Sequence, residues 1–488
     1  MLCCLLVLGK SRGLDTRLFC RIKILNLYKA CNQMTYKLNH VDEKILNDAV
    51  EEQHPDKKVW LVGALMGYGH LRALYPLEHH AYKGVINVGE DQSTHPTEKK
   101  LWKRILYMYE LLSRTKGIPV VGNLLFNILD FFLRIPSYYP YRDLSRSSFQ
   151  VRLLKKSIKR GLCSGMLEKI REQEIPVLTS FYAPAVAADM QGHGKIFCII
   201  CDTDLNRVWV PDDPWESRIE YFAPTGRAAW RLKSYGVPEK RIHLTGFPLP
   251  KELLGKSREL EILRYDLGQR LHILDPGNRF WPLHERNVAY FLGSDNLKFE
   301  NRRKFTITFA VGGAGAQKEI GRRIAVSLQK KLQDNEVVLN LVAGMRHEVN
   351  DYFLDVKEEV CSENIQVVYG KTFPEYYHEF NKIIRETDVL WSKPSELSFY
   401  VALGIPFVMA PAIGAQERAN KKWLTDINAG IKQESPDYTD QWLFDKLNKG
   451  RLAEAAWSGF LKARKKGSFN IAEFLQKGSW STQDELIR

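Results

Sequence analysis

The chain has 488 residues and a formal net charge of +14, and this length suffices for two domains that each bury a core of their own. The basic balance favours an anionic partner: nucleic acid, an anionic lipid surface or a phosphorylated substrate. The sequence contains no run of ~18 apolar residues, so no membrane-spanning helix is predicted. With 8 cysteines in a chain of this length, a disulfide framework is excluded.

The first 56 residues are interpreted as an N-terminal extension that is partly disordered. Their apolar run, LCCLLVL, has no basic residue before it, which is not the pattern of a signal peptide. We therefore expect a cytoplasmic protein.

Residues 57–250 alternate between strand-like and helix-like patterns. The predicted strands lie in KVWLVGA, GVINVGE, IPVLTSF, KIFCIICDTD, IEYFAPT and RIHLTGFP, and helical segments such as RAAWRLKSYGV separate most of them. This alternation predicts a parallel, doubly wound sheet. The range is interpreted as a first Rossmann-like domain.

Residues 251–300 interrupt the alternation with charged, turn-rich sequence and are interpreted as a linker or insertion. The alternation returns in 301–432, through FTITFAVGGAGAQ, VVLNLVAGM, IQVVYG, DVLWSKP and IPFVMAP. Residues 433–488 have the pattern of a helical tail. The predicted fold class is α/β, with two Rossmann-like doubly wound domains facing a central cleft.

A glycine-rich turn follows the first strand of each predicted domain. Gly67-Tyr68-Gly69-His70 precedes a helix expected from about Leu71, and Gly312-Gly313-Ala314-Gly315-Ala316-Gln317 precedes KEIGRRIAVSLQKKL. Glycines let the backbone approach a ligand, and helix N-termini favour anions. The second turn lacks the Gly-Lys-Ser/Thr ending of a P-loop. His70 is either a base or a structural histidine at a capped turn.

Asp202 and Asp204 end the strand KIFCIICDTD, where strand-end carboxylates tend to face a cleft. Arg207 is the nearby cation that would neutralise one of them if the pair is only structural. Cys198 and Cys201 form a C-x-x-C within the strand, but residues three apart on a strand point to opposite faces. We expect both cysteines to fill the core, with no metal site.

Residues 126–160 combine aromatic residues with many basic and few acidic ones. This composition suits an anionic membrane surface, where rings lie among headgroups and lysines meet anionic lipid. A nucleic-acid surface and an ordinary helix with a solvated basic face are the alternatives. Because no RNA-binding signature is present, no nucleic-acid partner is expected.

Several motifs, in this order and spacing, together resemble the GT-B glycosyltransferases over roughly 57–432. They are the two glycine turns, CDTDLNRVWVPDD with the following IEYFAPT to GFPL, and the KP, GIP and AQERAN segments of 393–420. The nearest families are the monogalactosyldiacylglycerol synthases, the processive diacylglycerol glucosyltransferases and the lipid-linked N-acetylglucosaminyl transferase of peptidoglycan synthesis.

The resemblance implies a role for each matching residue. Gly69 and His70 match the family's acceptor-side G-x-G-H loop, whose histidine is a candidate base. Asp202 and Trp209 match the aspartate and tryptophan of a T-D-x-x-x-H-x-x-W pattern, and Asp202 is a second candidate base. The implied donor-binding residues are Gly313, Gly315, Gln317, Lys393, Glu396, Gln416, Glu417 and Asn420.

The sequence departs from the family at two positions. Asn206 replaces the histidine of the aspartate motif, and Phe399 stands where a glutamate normally holds the nucleotide ribose. Glu396 lies three residues earlier, on the same face of a helix, and is our hypothesis for the ribose contact.

Together with the basic aromatic segment, the resemblance implies a metal-independent transferase. It would move a hexosyl group from a nucleotide sugar of the UDP type, bound by a second Rossmann-like domain (301–432), to a lipid-type acceptor, bound by the first domain (57–250). The nucleotide sugar is a co-substrate, and no cofactor is expected. The enzyme would be peripheral on the inner face of the membrane. The alternatives are a nucleotide-sugar 2-epimerase and a non-catalytic nucleotide-sugar or lipid-binding protein of the same fold.

Overall fold

The computed structural model of the protein describes residues 57–115, 134–298, 303–312, 315, 317–412 and 414–480. The predicted N-terminal extension and Gly313 lie outside the described residues, as do 126–133 of the basic aromatic segment. In the described ranges, no helix combines the length and the apolar character that a membrane crossing needs.

The first sheet is parallel and is buried where helices cover both of its faces. Its strands are Val59–Ala64 (β1), Ala81–Val88 (β2), Val177–Thr179 (β3), Ile196–Ile199 (β4), Ile219–Phe222 (β5) and Ile242–His243 (β6). They pair in the order β2-β1-β3-β4-β5-β6. The apolar run VWLVGA is buried along its whole length, as expected for a central strand of a covered parallel sheet.

The helices of the first domain connect these strands. They are Tyr68–Leu74 (α1), Pro96–Thr115 (α2), Phe149–Lys159 (α3), Ser164–Ile170 (α4), Tyr182–Met190 (α5) and Gly226–Ser234 (α6). Cys198 and Cys201 are buried free thiols at β4, which confirms that they fill the core. Burial raises the pKa of both thiols, so neither is a reactive thiolate.

The second sheet repeats the architecture. Its strands are Phe305–Ala310 (β7), Val337–Gly344 (β8), Ile365–Tyr369 (β9), Val389–Ser392 (β10), Phe407–Met409 (β11) and Gly430–Lys432 (β12). The order β12-β11-β10-β7-β8-β9 is the Rossmann order. The fold class predicted from the sequence, α/β with two doubly wound Rossmann-like domains, is confirmed by the two sheets.

Helices fill the remaining segments of the second half. Those between and after the sheets are Lys251–Leu254 (α7), Glu261–Ile273 (α8), Trp281–Leu292 (α9), Lys318–Ser327 (α10), Gln329–Gln333 (α11), His347–Val360 (α12), Phe373–Glu386 (α13), Ala415–Asp426 (α14), Thr439–Asn448 (α15), Arg451–Lys462 (α16) and Gly467–Lys477 (α17). Short 3-10 helices occupy Tyr75–His80, Arg207–Trp209, Glu239–Arg241, Ser294–Leu297, Glu396–Leu403 and Pro436–Tyr438.

The stretch interpreted as a linker or insertion is largely helical and packs on the second domain. From α8, the buried Arg270 donates hydrogen bonds to the carbonyls of Arg385, Thr387 and Leu403. These contacts satisfy strand-end and helix-end carbonyls that would otherwise lack partners.

The last helix, α17, returns to the first domain. The ring of Phe474 packs on Phe197, Phe222 and His243, with centroids 5.7, 5.4 and 4.4 Å away. Arg258 and Glu473 form an ion pair of 2.6 Å beside this contact. The chain therefore joins its two sheets twice, once in 251–300 and once at its end.

Candidate active site between the two sheets

In a doubly wound sheet, ligands bind at the carboxyl ends of the strands where the strand order reverses. In the first sheet this point lies between β1 and β3, and the glycine turn after β1 stands there. Gly67, with a φ of 106°, is the residue before α1, so the helix begins at Tyr68, earlier than the start expected near Leu71. His70 therefore lies in the first turn of α1.

Two hydrogen bonds hold His70 against the loop that follows β3. Its Nδ1 lies 2.7 Å from the carbonyl oxygen of Ser180, and the Ser180 hydroxyl donates to the His70 carbonyl at 2.8 Å. Because a carbonyl only accepts, Nδ1 carries the hydrogen in the neutral ring and Nε2 keeps a lone pair. Burial lowers the pKa of His70, which favours this neutral, basic form.

In the second sheet the order reverses between β7 and β10, and two predicted loops meet there. A Cβ on Gly312 would lie 2.2 Å from Cε of Lys393, so the lysine takes this path across the turn because the position is a glycine. The Lys393 ammonium lies 2.7 Å from Oε1 of Glu417, and both side chains are mostly buried. The lysine and the glycine turn therefore share one crevice.

The end of this glycine turn leads into α10. Gly315 and Gln317 both have left-handed backbones, with φ of 69° and 70°, and Gln317 precedes the first residue of the helix. The Gln317 amide donates to the Pro411 carbonyl at 3.0 Å. The turn thus delivers the helix N-terminus to the strand ends, as an anion site requires.

Asn420 of α14 joins the two domains. Its Oδ1 accepts hydrogen bonds from the backbone N–H and the hydroxyl of Thr203, at 2.9 and 2.8 Å. Its Nδ2 donates to Asp202 at 3.0 Å and to the Pro394 carbonyl at 3.2 Å. The structure therefore brings Asp202, the KP loop and the AQERAN helix together, and Gln416 is half-buried at the start of that helix.

The carboxyl group of Asp202 titrates near neutrality. Burial raises its pKa to about 7, and the negative charges of Glu396, Glu417 and Asp204 act in the same direction, while the Asn420 hydrogen bond opposes them. A carboxyl group with such a pKa at a cleft can exchange a proton at physiological pH.

An arginine that sequence reasoning missed crosses from the first domain into the second. Arg72 of α1 is fully buried, and its guanidinium donates to Tyr376 at 2.8 Å, Tyr400 at 3.2 Å and Glu396 at 3.3 Å. It also stacks over the ring of Phe380, at 4.5 Å from the centroid. The one sequence signal was a lone arginine in an apolar helix.

Glu396 accordingly faces the first domain. It begins a 3-10 helix, where residues three apart eclipse each other, rather than the α-helix assumed from the sequence. A Cβ on Gly69 would meet the Glu396 carboxylate at 3.0 Å, so Gly69 allows this close approach. Phe399 is buried and stacks on Phe247 with centroids 4.5 Å apart, which makes it part of the interdomain core.

Asp204, which ends the CDTD segment, pairs with Arg231 and not with Arg207, the partner suggested by the sequence. Asp204 accepts two hydrogen bonds from Arg231, at 2.7 and 2.9 Å, whereas Arg207 donates to backbone carbonyls, including that of Ser145. Asn206, at the family's histidine position, is buried, and its Oδ1 has no hydrogen-bond partner among the described residues.

Two cavities lie elsewhere in the second half of the chain. One of about 500 Å³ is bordered by α9, β12 and α16, and one of about 430 Å³ by residues 434–445. Neither is lined by a predicted site residue. Within the part of the chain that the structure describes, no group of three or more His, Cys, Asp or Glu side chains is placed to hold a metal ion.

No protein-family model and no curated protein matches this chain. Solved structures do. MurG from Acinetobacter baumannii is 14% identical, covers 86% of this chain and 99% of its own, and gives a TM-score of 0.44. MnaA from S. aureus with UDP is 11% identical, with coverages of 86% and 96% and a TM-score of 0.43. The UDP-GlcNAc 2-epimerase from Neisseria meningitidis bound to UDP-GlcNAc is 13% identical, with coverages of 86% and 97% and a TM-score of 0.40.

Proposed function

We propose that the protein is a glycosyltransferase that moves a hexosyl group from a nucleotide sugar of the UDP type to a lipid-type acceptor at the cytoplasmic membrane face. The observation that carries this proposal is that the two sheets meet at the points where their strand orders reverse. On the first-domain side, His70 is held by the loop after β3. On the second-domain side, Lys393 and Gly312 line a crevice, and the hydrogen bond between Asp202 and Asn420 connects the two sides.

The second domain supplies the chemistry for the donor. When the bond between the sugar and the diphosphate breaks, negative charge grows on the leaving phosphate. The Lys393 ammonium and the N-terminus of α10 stabilise that charge without a metal ion. Gln416 and Glu417 would bind the sugar hydroxyls. Asn420 is fully buried and its amide is committed to Thr203, Asp202 and the Pro394 carbonyl, so it would position the surrounding loops. Glu396, which also accepts a hydrogen bond from Arg72, would bind the ribose.

The first domain supplies the base. The acceptor hydroxyl must lose its proton as its oxygen bonds to the sugar carbon. His70 accepts that proton at Nε2, because Nδ1 is committed to Ser180. Asp202 is the second candidate base, since its pKa of about 7 leaves part of it ionised at neutral pH.

The described part of the basic aromatic segment supports a lipid acceptor. Phe149 and Leu153 of α3 are 55% and 52% exposed. We use the name basic face for these two residues together with the exposed basic side chains that surround them: Arg142, Arg146, Arg152, Lys156, Lys159 and Arg160. Apolar groups inside a basic surface suit an anionic bilayer.

The test is a transfer assay with purified protein, a panel of UDP-sugars and lipid acceptors in mixed micelles containing a chelator. Glycosylated lipid in the wild type and its loss in His70→Ala are expected. Conversion of the donor to its 2-epimer without lipid product would instead identify an epimerase. Donor binding without turnover would identify a binding protein, and dependence on added divalent metal would refute the metal-free proposal.

Vesicle flotation tests the membrane component separately. The double change Phe149→Ala and Leu153→Ala is expected to release the protein from anionic vesicles at low salt. The single change Tyr290→Ala, at a residue of α9 that is 72% exposed, is the control for loss of an exposed apolar side chain. Equal flotation of all three proteins would contradict a role for the basic face.

A further inference from the structure

Four aromatic side chains form an exposed cluster on the first domain, which we call the aromatic platform: Tyr138, Tyr139, Tyr141 and Trp230. Tyr138 and Tyr141 pack on Trp230 with centroids 4.3 and 5.1 Å apart, and Tyr139 lies 5.2 Å from Tyr141. Tyr139 and Tyr141 are 66% and 63% exposed. Two large rings are therefore held in place while their outer faces meet solvent.

The platform lies beside the seam between the domains. Its inner ring, Tyr138, lies under Arg227 of α6, with the guanidinium carbon 5.2 Å from the centroid. Arg227 reaches Asp426 of the second domain at 3.7 Å and Asp204 of the first at 4.0 Å. Asp204 follows Asp202 and Thr203, which bind Asn420. The platform is thus connected to the candidate site through one arginine and one short loop.

The rings are ordered before any ligand binds. Arg231 donates to the Pro136 carbonyl at 2.7 Å while its guanidinium carbon lies 5.8 Å from the Trp230 ring. Tyrosine and tryptophan present rigid amphipathic area, so binding on them loses little side-chain entropy. A ligand with an apolar face and a hydroxylated edge matches such a surface, because its face stacks and its edge binds neighbouring polar groups.

We propose that the aromatic platform binds a sugar ring of the acceptor, so that the acceptor is a glycosylated lipid rather than an unglycosylated one. A pyranose has an apolar face of C–H groups and a rim of hydroxyls. The C–H face stacks on Tyr139 and Tyr141, and the hydroxyls bind Arg227 and the exposed carboxylate of Asp426. This inference rests on the proposed transferase function and names its acceptor class.

The charges at the inner edge favour a sugar over a lipid headgroup. The carboxylate of Asp426, whose side chain is 49% exposed, lies 3.7 Å from Arg227 there, and it accepts hydrogen bonds from hydroxyls but repels phosphate. The exposed apolar residues of the basic face, Phe149 and Leu153, lie on a separate element, α3.

The test measures oligosaccharide binding to the full chain by saturation-transfer NMR and by titration of tryptophan fluorescence. The probes are maltotetraose, cellotetraose, chitotetraose and mannotriose at millimolar concentrations. At least one probe is expected to bind the wild type. Tyr139→Ala and Tyr141→Ala are each expected to weaken that binding about tenfold, and Tyr141→Phe to retain it, because the ring supplies the contact. Trp215→Ala is the control for loss of an exposed ring.

The outcomes separate a sugar site from a membrane anchor. Loss of oligosaccharide binding with unchanged vesicle flotation supports the proposal. Loss of flotation with unchanged oligosaccharide binding, or binding of no probe by the wild type, overturns it. A thermal-shift titration with UDP-sugars on the same variants reports the donor site separately. Failure of donor binding in the wild type would refute the transferase function without changing the oligosaccharide result.

Discussion

Replacing Arg72 with methionine removes a buried cation from the contact between the two domains. The guanidinium is 1% exposed and its partner Glu396 is 14% exposed, so methionine would leave a mostly buried carboxylate without its cation. Removing one member of a buried ion pair costs about 3 to 5 kcal/mol. Adding up the three hydrogen bonds that Arg72 donates would overestimate this loss. Tyr400, one of the three acceptors, keeps a hydrogen-bond partner in Tyr377 when the guanidinium is removed.

The assay is urea unfolding of the wild type and Arg72→Met, followed by fluorescence and circular dichroism. Arg323→Met is the matched control, because Arg323 and Asp437 form an ion pair with side chains 43% and 52% exposed, and such pairs contribute about 0 to 1 kcal/mol. The added change Glu396→Gln in Arg72→Met should recover part of the loss, since it removes the unpaired charge. A loss within about 1 kcal/mol of the Arg323→Met control would refute the reasoning.

Three further predictions concern single groups. The transfer rate should rise as the pH increases through about 7 if ionised Asp202 is the base, and Asp202→Asn should remove that dependence in a pH–rate profile. Lys393→Ala should weaken UDP binding about tenfold or more in a thermal-shift titration, whereas Lys446→Ala, outside the site, should not. Burial lowers the pKa of His80 from 6.5 to about 4. The contribution of its neutral imidazole to the free energy of unfolding is therefore complete above pH 6.5 and is lost as the pH falls towards 4. At pH 5 the loss should be about 2 kcal/mol, and His80→Phe should abolish it in acid titrations of the unfolding free energy.

The sequence was sufficient to predict the fold because its signals are local. Buried parallel strands give continuous apolar runs, and glycine turns mark where a strand passes into a helix. Gly69 and Gly312 illustrate this: each glycine leaves room for a close approach, by Glu396 and by Lys393, and a Cβ would make these side chains shift. The glycine turns thus mark where the two sheets bring candidate site residues together, and the role of these residues stays a prediction.

Contacts between distant segments could not be predicted in the same way. Arg72 and Tyr376 are 304 positions apart and no periodicity connects them. The pairing of Asp204 with Arg231 was missed because Arg207 is nearer in sequence, although the helix α6 turns Arg231 towards the aspartate. The charged stretch 251–300 looked like a linker because its helices bury arginine and aspartate as well as apolar residues, which weakens the amphipathic pattern.

The return of α17 to the first sheet has a consequence for how the protein is made. During synthesis the first sheet leaves the ribosome early, yet the faces of Phe197 and Phe222 that meet Phe474 stay without this contact until α17 emerges. The first domain therefore exposes this apolar surface to water while the second domain is translated. Chaperone binding during this interval, and sensitivity to truncations that remove only α17, follow from the order of the chain.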